Sequence, residues 1–290
     1  MHIYVYFVTV DMHLVMTLHD PPLCNVTGLA QFGGHIYVLC GWHHEHMRHV
    51  VKSIRVYEDG NTLDLLWLIL VDEIESPFDI IEDENSNCLY VSEKMQDCIW
   101  KISLDDQIAV KWLCHAGQLI RQPTVKDGRL FVMIWGNPCD RLDIYGTDAV
   151  LIDSLPFSSD IKFPTSVIQI SSDQFIVSHY LSDGDKELCA ISHLTRDSRV
   201  IRQFNPKNES KNLLWPCLLS LDSDNRRLFV IDSENFNVVL IDSDSLSWIK
   251  IILTKESDYV PWGYLHDRRK NQFIMSEYNT LYFYKIVNGK

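Results

Sequence analysis

RLFVID (227–232), RLFVMI (129–134), HIYVLC (35–40), CLYVSE (88–93), QFIVSH (174–179) and QFIMSE (272–277) are six copies of one short apolar run, strung along the whole 290-residue chain. Their β-branched and aromatic side chains suit a pleated, half-buried surface, so each copy predicts a strand. A run that recurs at a near-constant period marks a repeat architecture, in which each unit buries its apolar face against its neighbours.

Working outward, each copy has an anchor upstream: VTGLA from Val26, PFDII from Pro77, PTV from Pro123, PTSVI from Pro164, PCLLSL from Pro216 and PWGYL from Pro261. Successive anchors lie 51, 46, 41, 52 and 45 residues apart, a period that suits a four-stranded propeller blade. A third strand-like segment follows each copy: SIRVYEDG from Ser53, CIWKISLDD from Cys98, RLDIYGTDA from Arg141, ELCAISHLT from Glu187, VVLIDSDS from Val238 and LYFYKIVNG from Leu281. A fourth follows in most repeats, as in LDLLWLILV (63–71) and SWIKIIL (247–253). Turn residues stand between the first and second strands, as EDENSN (82–87), SLDSDNRR (220–227) and HDRRKN (266–271). No segment keeps a helical period, which argues against a parallel α/β sheet.

The fold read from this pattern is all-β: one six-bladed β-propeller domain over 1–290, with four-stranded antiparallel blades and the apolar run as the inner strand. The last repeat ends at Lys290 with three strands, while strand-like sequence precedes the first anchor. The N-terminal segment, near residues 13–18, is therefore expected to complete the last blade and leave no unpaired edge. A seven-bladed ring is the rival count, but six copies of the run are countable and a seventh is not.

The stretches LFVIDSENFNVVLIDSD (228–244) and LYVSEKMQDCIWKISLDD (89–106) resemble NHL repeats, in which a strand ending in an acidic residue leads through a short polar loop into an apolar strand that ends near Asp. All six units share the resemblance, the third and fourth only in the anchor and the apolar run. It implies a propeller like those at the substrate- or RNA-binding ends of tripartite-motif ubiquitin ligases, though this sequence has no RING-type Cys/His pattern. In lactonase propellers, which share the six-bladed ring, metal ligands follow the anchor proline as Asn or Asp. Here Phe78, Thr124, Thr165, Cys217 and Trp262 hold those positions, which argues against that activity.

Composition narrows the partner. Lys and Arg total 26 against 39 Asp and Glu, a formal charge of -13 that repels a phosphate backbone, so nucleic acid is disfavoured. The densest basic stretches, Arg268–Lys270 and Arg226–Arg227, occupy turns and form no stripe. Eight cysteines without a C-x-x-C pair read as buried free thiols of a reducing compartment. The apolar N-terminus lacks the features of a signal peptide, and no window reaches a membrane span of about 18 residues. A cytoplasmic protein away from membranes is the expectation.

Polar and aromatic residues that follow the apolar runs should converge on one face: Trp42, Glu93, Trp135 with Asn137, His179 with Tyr180, Asp232 with Glu234, and Glu277 with Tyr278. Trp262 joins them from an anchor loop. Exposed aromatics are the usual energetic centres of protein interfaces, so this set predicts a protein- or peptide-binding face. Trp100, Trp112 and Trp248 fall inside strands and read as packing between blades. The alternative is a metal-dependent hydrolase or lyase that uses an acidic central funnel; RNA binding comes after it. In GWHHEHMRH (41–49), His43, His46 and His49 are weak zinc candidates. The metalloprotease spacing fails, because Arg48 stands where the second histidine belongs. No P-loop, dinucleotide fingerprint or nucleophile elbow is present, so neither a catalytic residue nor a cofactor is assigned.

Overall fold

The computed structural model describes residues 10–19, 26–41, 53–58, 65–71, 73–93, 96–115, 119–136, 140–181, 188–204, 213, 216–222, 226–232, 237–254, 263–277 and 280–288. Among these residues the strands form six four-stranded antiparallel sheets, arranged as the blades of a propeller. After β1 (Val10–His19), blade 1 holds β2 (Val26–Phe32), β3 (His35–Cys40), β4 (Ser53–Glu58) and β5 (Leu65–Leu70). Blade 2 holds β6 (Pro77–Asp83), β7 (Cys88–Glu93), β8 (Cys98–Ser103) and β9 (Ala109–Cys114). Blade 3 holds β10 (Leu119–Lys126), β11 (Arg129–Trp135), β12 (Arg141–Gly146) and β13 (Leu151–Pro156). Blade 4 holds β14 (Lys162–Ser171), β15 (Gln174–Leu181), β16 (Leu188–Thr195) and β17 (Val200–Phe204). Blade 5 holds β18 (Pro216–Asp222), β19 (Arg227–Asp232), β20 (Asn237–Asp242) and β21 (Trp248–Thr254). Blade 6 holds β22 (Tyr264–Asp267), β23 (Gln272–Glu277) and β24 (Thr280–Asn288).

β1 closes the ring. It pairs antiparallel with β24 from Val10 opposite Asn288 to His19 opposite Thr280, which supplies the fourth strand of blade 6 as the sequence predicts.

The middles of the second strands are apolar because each is covered on both sides. In β19, Phe229 and Ile231 pack toward blade 6, while Leu228 and Val230 pack toward blade 4. Successive side chains of a strand point to opposite faces, so a strand sandwiched between two blades reads as a continuous hydrophobic run rather than an alternating one. Six apolar clusters result, each joining one pair of neighbouring blades, and together they complete the circle.

One expectation is corrected here. The apolar run is the second strand, and the anchor-bearing first strands are the innermost: β2, β6, β10, β14, β18 and β22 together wall the space on the axis. A bulge breaks the first-to-second-strand register at the anchor in five blades. Proline has no N–H to give to the ladder, and a bulge is where a strand tolerates that loss. Close approach at the axis also demands a missing side chain. A Cβ on Gly28 would lie 2.9 Å from the Ile80 backbone nitrogen of the next blade.

A second correction concerns the cysteines. Cys98 and Cys114, directly opposed on β8 and β9, form a disulfide, while Cys40, Cys88 and Cys189 are buried free thiols. The thiol argument for a reducing compartment is weakened accordingly. No helix among the described residues is long and apolar enough to cross a membrane.

Candidate functional site

The upper face carries the loops after the second strands, and there the predicted residues divide. Trp42, Asn137, Glu234, Trp262, Tyr278, His43, His46 and His49 lie outside the described residues, as does the side chain of Glu277 at the end of β23. Glu93, His179 and Asp232 are fully buried, and none of them lines the channel on the axis. The Glu93 carboxylate accepts Trp100 Nε1–H at 2.6 Å and the Glu75 backbone N–H at 2.7 Å, which ties the connection into blade 2 to its own third strand. His179 has Nε2 2.8 Å from Ser192 Oγ and Nδ1 3.0 Å from the Tyr180 carbonyl. Burial holds its pKa down to about 4, so the ring is neutral at physiological pH. The expected convergence on a central funnel fails for these three because second-strand ends are packed between blades.

Trp135 and Tyr180 are brought together through a residue the sequence reading missed. Phe163 lies edge-on to Trp135, centroids 5.5 Å apart, and edge-on to Tyr180 at 6.3 Å. Trp135 Nε1–H donates to the Pro164 carbonyl at 2.7 Å, so the three rings form one ridge across blades 3 and 4. Phe163 is 52% exposed, and its φ of 45° lies in the left-handed region that a bulky residue avoids. Asp140 holds it there: Oδ2 accepts the Phe163 N–H at 2.8 Å and Oδ1 accepts the Gly136 N–H at 3.2 Å. One carboxylate thus straps two loops and presents an apolar ring to solvent. The only signal in the sequence was a phenylalanine immediately before an anchor proline.

Trp100, Trp112 and Trp248 pack between blades as expected. Trp112 sits edge-on between Tyr90 and Tyr145, Trp248 stacks on Phe204, and Trp100 belongs to the cluster joining blades 1 and 2.

On the axis, the first strands enclose a cavity of about 400 Å³, within the range of small-ligand sites. Its polar groups come mainly from blades 2 and 6. Asp79 is half-buried and accepts the Ile80 N–H at 2.9 Å; burial, then the charge of Glu82, pushes its pKa up to about 7. Glu82 is likewise pushed up to about 7, chiefly by burial, with Glu84 adding to the rise and backbone N–H groups and Arg269 opposing it. His266 Nδ1 is 2.6 Å from Ser220 Oγ, and the ring stacks on Phe273 at 4.3 Å. Burial, then Arg268, brings its pKa down to about 4. Asp267 accepts Gln31 Nε2–H at 2.8 Å. At the lower mouth Arg269 of blade 6 reaches past blade 1 to Glu84 of blade 2 at 3.0 Å. Among the described residues no three His, Cys, Asp or Glu side chains are grouped to hold a metal ion.

No family model matches the sequence, and no curated protein is significantly similar to it. Solved structures do match in shape. A chain of a nidogen/laminin complex superposes with a TM-score of 0.60 at 14% identity, covering 79% of this chain and 80% of that one. Glutaminyl cyclase from Myxococcus xanthus gives 0.53 at 10%, covering 98% and 99%. Hydrazine synthase from Kuenenia stuttgartiensis gives 0.63 at 11%, covering 90% and 82%. At these identities the likeness is one of fold, and the same ring appears in a protein complex and in enzymes.

Proposed function

We propose that this propeller is a binding scaffold that takes a protein or peptide on its upper face, with Phe163 as the anchor between Trp135 and Tyr180. The observation that carries the reading is an aromatic ring held half in solvent on a strained backbone by a dedicated carboxylate. Strain of this kind persists where the surroundings impose it, and it clusters at binding sites. Pre-ordering the ring lowers the entropy lost on association, and large aromatics dominate hot spots. A propeller bound in a complex, as in the nidogen/laminin structure, is in keeping with such use. The NHL-like motifs extend the proposal to the substrate-recognition part of a ubiquitin ligase, with the ligase module supplied outside these 290 residues. The metal-dependent hydrolase or lyase alternative has no described trio of ligands to build on.

The test is peptide display on the immobilised propeller, followed by measured affinities of the selected peptides for the wild type, Phe163→Ala and Asp140→Ala. Truncating a hot-spot ring costs about 2 kcal/mol, so affinity for Phe163→Ala should drop about thirtyfold. Asp140→Ala should weaken binding less, through loss of order. Selected peptides that bind Phe163→Ala as tightly as the wild type would remove the upper-face reading.

A further inference from the structure

We propose that the axial cavity is a second binding site, separate from the aromatic ridge, for a small zwitterion whose ammonium group lies against Asp79 and Glu82 and whose carboxylate meets Arg268. Charge is unevenly distributed around this one cavity. Among the described residues, Asp79, Glu82, Asp267, His266, Arg268 and Arg269 are the acidic and basic side chains that face the cavity; the phenol of Tyr264 and neutral groups such as Gln31, Thr124 and Ser220 make up its other polar lining.

Three of the six are already engaged. Arg269 pairs with Glu84, Asp267 accepts from Gln31 and from the Lys270 N–H, and His266 is neutral and bonded to Ser220. Among the described residues neither Asp79 nor Glu82 has an ion pair; their bonds are to backbone N–H groups. Arg268, exposed at the rim of the same cavity, has none either among the described residues. Taking carboxylates out of water without a counter-charge costs several kcal/mol, and a chain tolerates that expense chiefly where the missing partner arrives as a ligand. The perturbed acidities agree with this placement: no cation offsets the burial of Asp79, and Arg269, which is paired with Glu84, offsets that of Glu82 only in part. A free amine would need only the acidic wall, and a simple carboxylate only the arginine. The cavity offers both poles, and its volume of about 400 Å³ accommodates an amino acid or a short peptide end.

The experiment is isothermal titration of the whole chain with four probes: γ-aminobutyrate, ε-aminocaproate, butylamine and butyrate. At least one of the two zwitterions should bind about tenfold more tightly than butylamine or butyrate, since loss of one charge partner in a shielded site costs that factor or more. Asp79→Asn should abolish that advantage, and Arg268→Ala should reduce the zwitterion to the level of butylamine. Wild-type affinity should rise as pH climbs through about 7, because ionisation of Asp79 and Glu82 completes the acidic wall. Binding of none of the four, equal binding of butyrate, or an unchanged Asp79→Asn profile would each overturn the proposal. Arg268 is exposed and Asp79→Asn is expected to fold, so failure to fold does not confound either result. Neither substitution touches the Phe163 ridge, so the upper-face proposal stands or falls separately.

Discussion

Replacing Asp79 with asparagine should make the folded protein more stable above neutral pH, even though it removes a charged group from a polar cavity. In the folded chain the carboxyl holds its proton up to about pH 7, against an ordinary value of 3.8. That rise of about three units, at about 1.4 kcal/mol each, sets an upper bound of about 4 kcal/mol on what ionisation costs the folded state. Water reaching a half-buried group, and the bond that Ile80 N–H gives to either side chain, bring the expected gain nearer 2 kcal/mol. The sign follows from proton linkage. A raised carboxyl takes up a proton on folding between about pH 4 and 7, so its contribution is fully present below pH 4 and is lost as pH climbs through 7. Glu82, raised from 4.5 to about 7, behaves alike, and since each charge raises the other the two effects are less than additive. His266 and His179, lowered to about 4, act oppositely: their contribution grows as pH rises from about 4 to 6.5. The wild type should therefore show a shallow dependence below neutrality, whereas Asp79→Asn/Glu82→Gln should gain stability with rising pH. Urea unfolding at about pH 5 and about pH 8 measures this directly. Equal destabilisation of Asp79→Asn at both pH values would refute the reasoning, because it would mean that the carboxylate is held by contacts rather than penalised by burial.

Three other perturbations test the architecture. Gly28→Ala places a methyl group against the Ile80 backbone at 2.9 Å, so blades 1 and 2 must part; a loss of about 1–3 kcal/mol and a lower Tm are expected in thermal unfolding. Glu93→Ala removes the acceptor for Trp100 and Glu75 and should cost about 3 kcal/mol in denaturant unfolding while leaving affinity at the Phe163 ridge unchanged. Cys98→Ser with Cys114→Ser opens a cross-link between residues 16 apart; chain entropy puts the loss at about 3 kcal/mol, and after reduction thiol labelling of the unfolded wild type should gain two more reactive cysteines than that of the double variant.

The blade framework was legible because its determinant is strong and local. Residues such as Leu228 to Ile231 must be apolar on both faces of the strand, so the run stands out against any background. Closure by β1 was legible for a different reason: an unpaired strand at one end and a missing strand at the other admit few solutions. The candidate cavity was not legible, because its walls look least like strands. Gln31, Asp79, Glu82 and His266 interrupt the first strands with polar groups that face an axis no sequence period reveals. Taking the most hydrophobic strand as innermost therefore inverted the blade, since in this ring apolar sequence marks the middle of the wall and polar sequence marks the axis. Trp135 and Tyr180 were singled out by loop position, while Phe163 drew no notice because its exposure depends on Asp140, 23 residues away.

Symmetry then separates scaffold from site. Opposite the same position of the second strand stand Gly28 facing Leu39, Asp79 facing Ser92, Ser166 facing Ser178 and Leu218 facing Ile231. Gly263 meets Ser276 in the same way through its N–H. A charge required by the blade would recur around the ring, yet among the described residues only blade 2 brings an acid to this level, and blade 3 places the basic Arg121 opposite Met133. Three residues further along the first strand the register-matched set is Gln31, Glu82, Val125, Gln169, Leu221 and His266, and again only blades 2 and 6 bring ionisable groups. The packing of a propeller is satisfied by glycine, serine or leucine at these places. Asp79 and Glu82 are therefore departures that the fold does not need and that, by the pH argument above, it is less stable for having. Retaining them against that cost is what a binding site requires of its scaffold.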